Sequence, residues 1–118
     1  MTAVHADLRW AVVCPIGRLL PERGVAALLG DVQVAIFRIW SDSGDDEVLA
    51  IGNVDPFSGA AVLSRGIVGD RGGVPTVASP VYKQAFDLRT GRCLDDPNVT
   101  VDTYPVRVTD GTVEVGLP

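Results

Sequence analysis

Two thiols and one imidazole bound the metal chemistry open to this chain. Cys14 and Cys93 are its only cysteines and His5 is its only histidine. A structural zinc site of cysteine and histidine takes four ligands, and a two-iron cluster on two cysteines and two histidines takes a second imidazole. A Ser–His or Cys–His nucleophile would have to recruit His5 from a frayed N-terminus, so such catalysis is not expected. Nothing around either cysteine marks a reactive thiolate, and both read as free, buried, structural thiols. Asp55 is a hard oxygen ligand suited to calcium or magnesium, but no further carboxylates converge on it. The run from Gly66 to Gly73 lacks the Gly-Lys-Ser/Thr ending of a phosphate loop and is expected to be a flexible contact loop.

The elements that must carry these residues follow from composition. The chain has 118 residues and 12.4 kDa, enough for one domain, 1–118, with one core. It holds 19 Val, 5 Ile and 7 Thr against a single Lys and 3 Glu, with 13 Gly and 8 Pro. Strand-stiffening residues dominate and surface helix formers are scarce, which predicts an all-β fold of short strands and tight turns. A net charge of −5 leaves no basic surface for nucleic acid. No apolar run approaches the length of a membrane-spanning helix, and the first residues do not form an export signal. With two cysteines and no such signal, a reducing cytoplasm is the expected setting.

Along the chain, strands are expected at Leu8–Val13, at Gly24–Leu29 and Val32–Trp40 around a Gly30-Asp31 turn, and at Val48–Ile51. Ser41–Glu47 reads as a solvated acidic loop. Gly52–Pro75 shows no clear periodicity and is expected to be a long functional loop. Thr76–Ser79 and Tyr82–Leu88 read as strands flanking Pro80, with a turn at Arg89-Thr90-Gly91 before Arg92–Leu94. The last hairpin is the clearest. Val106 and Val108 pair with Val113 and Val115 across Asp110-Gly111, with Arg107 and Glu114 on the other face. Trp10 is expected in the core and Trp40 as an anchor at a strand end.

Two loops carry a resemblance. Asp55-Pro56-Phe57-Ser58-Gly59-Ala60 is similar to the loop that supplies Cys-x-His to a Rieske iron–sulfur cluster. Ser79-Pro80-Val81-Tyr82, leading into Phe86-Asp87-Leu88-Arg89-Thr90-Gly91, is similar to its partner loop, which supplies Cys-Pro-x-His. In that alignment Asp55 and Phe57 stand at the first Cys and His positions, and Ser79 and Tyr82 at the second pair. All four ligands are absent. The resemblance therefore implies a Rieske-like fold of small stacked antiparallel sheets that binds no cluster. Phe57 and Tyr82 are expected to pack into the space a cluster would fill.

Across nearly its whole length the chain resembles one branch of that fold, the small subunits of cytoplasmic NAD(P)H-dependent nitrite reductases. The likeness rests on Asn53–Ala60, Val62–Asp70, Val77–Gln84, Phe86–Leu88, Cys93-Leu94 and Tyr104–Val108. It implies an accessory, non-catalytic chain. Its partner would be a large subunit carrying FAD, siroheme and an iron–sulfur cluster, which reduces nitrite to ammonium with NADH or NADPH. The chain itself would bind no cofactor and no metal. Arg65, Arg71, Lys83, Arg89 and Arg92, half of the ten basic residues, lie in or near the two loops. The first four are the candidate partner contacts, either as a basic patch or as an ordinary mixed surface among Asp70, Asp87, Asp95 and Asp96. A stand-alone interaction module of the same fold, with no enzyme partner, is the alternative.

Overall fold

A computed structural model of the chain describes residues 8–40 and 46–118. The described residues form ten strands: β1 (Arg9–Pro15), β2 (Gly24–Leu29), β3 (Val32–Ile39), β4 (Glu47–Gly52), β5 (Ile67–Arg71), β6 (Val74–Ala78), β7 (Ala85–Asp87), β8 (Thr103–Tyr104), β9 (Val106–Thr109) and β10 (Thr112–Leu117). They form three antiparallel sheets ordered β1-β10-β9, β2-β3-β4-β8 and β5-β6-β7. Single turns of 3-10 helix at Ile16–Arg18 and Leu63–Arg65 are the only helical elements among the described residues. The all-β fold is the one the sequence predicts.

The four-stranded sheet is the middle layer because β3 is apolar on both faces. Val34, Ala35, Ile36 and Phe37 are all fully buried. Successive side chains of a strand point to opposite faces, so these residues serve two cores. Val34 and Ile36 pack with Leu19, Ala50, Val113 and Val115 beneath the β1-β10-β9 sheet. Ala35, Phe37 and Ile39 pack with Leu63, Val77, Phe86, Leu88 and Cys93 beneath the β5-β6-β7 sheet. The second core supports both loops at its edge.

The two predicted hairpins are present in register. Ala26 pairs with Ala35 across the Gly30-Asp31 turn, and Val113 pairs with Val108 across Asp110-Gly111. Glu114 opposes Arg107, and the two form an ion pair. Trp10 is half-buried with the Arg107 guanidinium 4.2 Å from its ring centre, a cation–π contact rather than a core position.

Four expectations are corrected. The stretch Gly52–Pro75 is not one loop, since β5 and β6 form a hairpin turned at Gly72-Gly73, the supposed flexible segment. β5 shows no apolar alternation because four of its five residues are exposed. The strand expected at Tyr82–Leu88 shrinks to Ala85–Asp87, with Tyr82 in the preceding loop. Arg92–Leu94 makes only isolated bridges, Phe86 to Cys93 and Arg92 to Thr100. Trp40 anchors nothing; it is 62% exposed. The acidic loop expected at Ser41–Glu47 lies outside the described residues through position 45, as does His5. Asp46 pairs with Arg38, and Glu47 opens β4.

Candidate functional site

The two loops singled out in the sequence are built alike. In the first, the Asp55 carbonyl accepts the Gly59 N–H at 2.7 Å and the Asp55 N–H donates to the Ala60 carbonyl at 2.8 Å. Asp55 Oδ1 accepts the Phe57 N–H at 2.8 Å. In the second, the Ser79 carbonyl accepts the Lys83 N–H at 3.0 Å and the Ser79 N–H donates to Gln84 at 2.9 Å. Ser79 Oγ accepts the Val81 N–H at 3.2 Å. A third loop repeats the pattern on Asp87, with Arg89, Gly91 and Arg92 in the matching places. Asp and Ser suit the first place because a short oxygen side chain reaches the amide two residues on. Pro56 and Pro80 follow it in the first two loops, where a fixed φ favours the turn.

The loops meet at their first residues. Ser79 Oγ–H donates to Asp55 Oδ2 at 2.6 Å, and both residues are fully buried. Asp55 thus has one carboxylate oxygen on its own loop and the other on its neighbour. A buried carboxylate needs such partners, and a short charge-assisted bond in a dry setting is a strong one. These are the two positions that the resemblance matches to cluster cysteines.

Phe57 is half-buried, its ring centre 6.2 Å from that of Phe86 at an interplanar angle of 50°, so it packs on the core as expected. Tyr82 does not. It is 59% exposed at the tip of the second loop, and the expectation that it fills a cluster space is corrected. The loop leaves the core at Ser79 and returns at Gln84 and Ala85, and the four residues from Pro80 to Lys83 are exposed.

The family implied by the resemblance binds a [2Fe–2S] cluster, and the residues present do not fit one. Phe57 carries no donor atom, Asp55 and Ser79 are spent on each other, and Tyr82 is exposed while that pair is buried. Among the described residues no three His, Cys, Asp or Glu side chains are grouped to hold a metal. Cys93 is buried in the second core and Cys14 is half-buried. Burial pushes the Cys14 thiol upward, with Arg18 opposing it, which disfavours a thiolate there. An open concavity elsewhere, lined by Asp31, Gln33, Asn53, Asp102 and Tyr104, offers no histidine, cysteine or basic side chain.

The candidate contact residues divide into two sets. Arg89 is paired with Glu47 at 2.7 Å, a bond that raises its pKa further, and Arg71 lies 3.4 Å from Asp95. Arg65, Lys83 and Arg92 are exposed and make no ion pair among the described residues. The Asp95 carboxyl is held below its usual range, first by the Ala85 N–H donating to Oδ2 at 2.8 Å and then by Arg71. What the sequence reading missed is the Asp55–Ser79 bond. Two polar residues, each before a proline in otherwise similar loops, were its only trace.

Comparison with known proteins places this architecture. The family model for the Rieske-like [2Fe–2S] domain matches residues 9–116. The nitrite reductase (NADH) small subunit of Escherichia coli K12 is 48% identical over 107 residues, spanning 91% of this chain and 96% of that protein. A crystal structure from Mycobacterium tuberculosis, described as an NADH-dependent nitrite reductase small subunit, superposes with a TM-score of 0.86 at 56% identity. That superposition covers 94% of this chain and 96% of the other. A segment making up 11% of the Klebsiella oxytoca nitrite reductase [NAD(P)H] large subunit is 43% identical to 91% of this chain. With identity of this order over nearly the whole of both chains, the protein belongs to the Rieske-like family of nitrite reductase small subunits.

Proposed function

We propose that this chain is the accessory small subunit of an assimilatory, cytoplasmic NAD(P)H-dependent nitrite reductase. It supports the reduction of nitrite to ammonium by a large subunit that carries FAD, siroheme and an iron–sulfur cluster and takes electrons from NADH or NADPH. The observation that carries this reading is the Klebsiella oxytoca protein, in which a segment like this chain lies within the large subunit itself. A domain found as a separate chain in one species and within a large subunit in another supports a partnership with that subunit. No helix among the described residues is long and apolar enough to cross a membrane.

The residues at the loops support a binding role rather than an electron-carrying one. Asp55 and Ser79 are locked together inside the fold, and neither can change redox state. What remains for a partner is the loop surface, with Arg65 and Lys83 free to meet carboxylates and Arg71 and Arg89 already paired at its margin. The test is co-purification of the chain with the large subunit from the same genome. Stable association is expected. Failure to associate would overturn this reading and leave an interaction module of Rieske-like fold with another partner.

A further inference from the structure

The three similar loops differ at the residue that closes them. The residue whose N–H closes each loop sits in the left-handed region, at φ 75° for Gly59, 78° for Gly91 and 68° for Lys83. Glycine adopts that conformation without strain, and a lysine does not. The other two non-glycine residues at positive φ among the described residues each have a local reason. Asp110 begins the Asp110-Gly111 hairpin turn, where Asp is tolerated. Glu22 turns its carboxylate to the Trp40 N–H at 3.4 Å. The Lys83 side chain makes no hydrogen bond or ion pair among the described residues, and it is exposed. A strained side chain with no work inside the fold points outward for its purpose.

Its neighbours match that purpose. Pro80, Val81, Tyr82 and Lys83 are four consecutive exposed residues, with Val81 43% and Tyr82 59% open to solvent. The base of this tip is fixed by the Asp55–Ser79 bond, so the surface is presented rigidly and little order is lost when it is covered. Tyr is enriched among interface anchors, and an unpaired cation beside it supplies charge complementarity that fixes register.

We infer that Val81-Tyr82-Lys83 is a docking tip for the large subunit. Lys83 meets a carboxylate there, and Tyr82 lies against an apolar surface beside it. The inference rests on the chain's being the small subunit and names the surface it uses. A second copy of this chain is the less suitable occupant, because two chains each of net charge −5 repel one another.

The experiment compares the wild-type chain with Lys83→Gly, Lys83→Arg and Tyr82→Ala in binding to the immobilised large subunit, with thermal melts of each chain. Lys83→Gly is expected to melt a few degrees higher and to bind about tenfold more weakly. Lys83→Arg, which keeps both charge and strain, should bind within about threefold of wild type. Tyr82→Ala should melt as wild type and bind about tenfold more weakly. Wild-type affinity in both Lys83→Gly and Tyr82→Ala would overturn the docking tip alone. Absence of binding by the wild-type chain would overturn the subunit reading and the tip with it. Tighter self-association of the wild type than of the variants would assign the tip to a second copy instead.

Discussion

The Ser79 hydroxyl donates to the Asp55 carboxylate at 2.6 Å, and neither residue is reached by solvent. This bond joins two loops whose first residues are 24 positions apart in the chain. Ser79→Ala is expected to lower stability by about 1.5–3 kcal/mol, because it leaves a buried carboxylate oxygen without a partner. Asp55→Asn keeps the acceptor for the Phe57 N–H and should cost about 1 kcal/mol. A urea-denaturation cycle with the double alanine variant measures the coupling between the two residues. Additive losses would show that the loops are not held through this pair.

The aromatics at the two loops should behave oppositely. Phe57→Ala removes a half-buried ring from Phe86 and is expected to cost about 2 kcal/mol. Phe86→Ala, at a fully buried ring, should cost about 3–5 kcal/mol. Tyr82→Ala should fall within about 0.5 kcal/mol of wild type. Equal losses at Phe57 and Tyr82 in thermal melts would mean that Tyr82 packs inward after all.

Gly59 and Gly91 separate backbone strain from crowding. Their φ values are 75° and 78°, yet a Cβ at Gly59 meets nothing within 4 Å. A Cβ at Gly91 would lie 2.1 Å from the Val101 carbonyl oxygen. Gly59→Ala should therefore cost about 1 kcal/mol, the strain alone. Gly91→Ala should cost about 3 kcal/mol or more, because backbone must move as well. Similar melting points for the two variants would contradict the close approach of the two backbones at Gly91.

Asp95 gives the acid limb of stability a partial origin. Its carboxyl is held below the ordinary range by the Ala85 N–H, with Arg71 adding to the effect. A depressed folded-state pKa stabilises above the unfolded value and is lost on acidification. The contribution should be full above about pH 5 and fade from about pH 4 downward. Asp95→Asn should lower the melting temperature at pH 7 and reduce the difference between pH 7 and pH 3. An unchanged difference would place the acid sensitivity on other carboxylates.

Much of this fold was legible because its strongest elements carry their own patterns. The centre of β3, Val34 to Phe37, is a continuous apolar run buried on both faces, and the β9–β10 hairpin shows strict alternation around Asp-Gly. β5 was hidden because a solvated edge strand leaves no apolar stripe, and only the Gly72-Gly73 turn marked it. At the site, that Asp55, Phe57, Ser79 and Tyr82 are neither Cys nor His is plain from the sequence alone. The bond between Asp55 and Ser79 is not, since it depends on bringing two distant loops together. Tyr82 was misread because an aromatic residue is usually buried, and its exposure follows from a three-dimensional excursion of the loop. The pairing of Arg71 and Arg89 was equally invisible, because Glu47 and Asp95 reach them from other elements.

The central claim is that this chain serves nitrite reductase without a cluster of its own. Its most direct test is nitrite-dependent NADH and NADPH oxidation by the large subunit, with and without the purified chain, whose iron content and visible absorbance are measured on the same sample. An iron-free, colourless chain should raise the rate or the fraction of intact enzyme. A requirement for iron bound to this chain, or no effect from it in any form, would contradict the account.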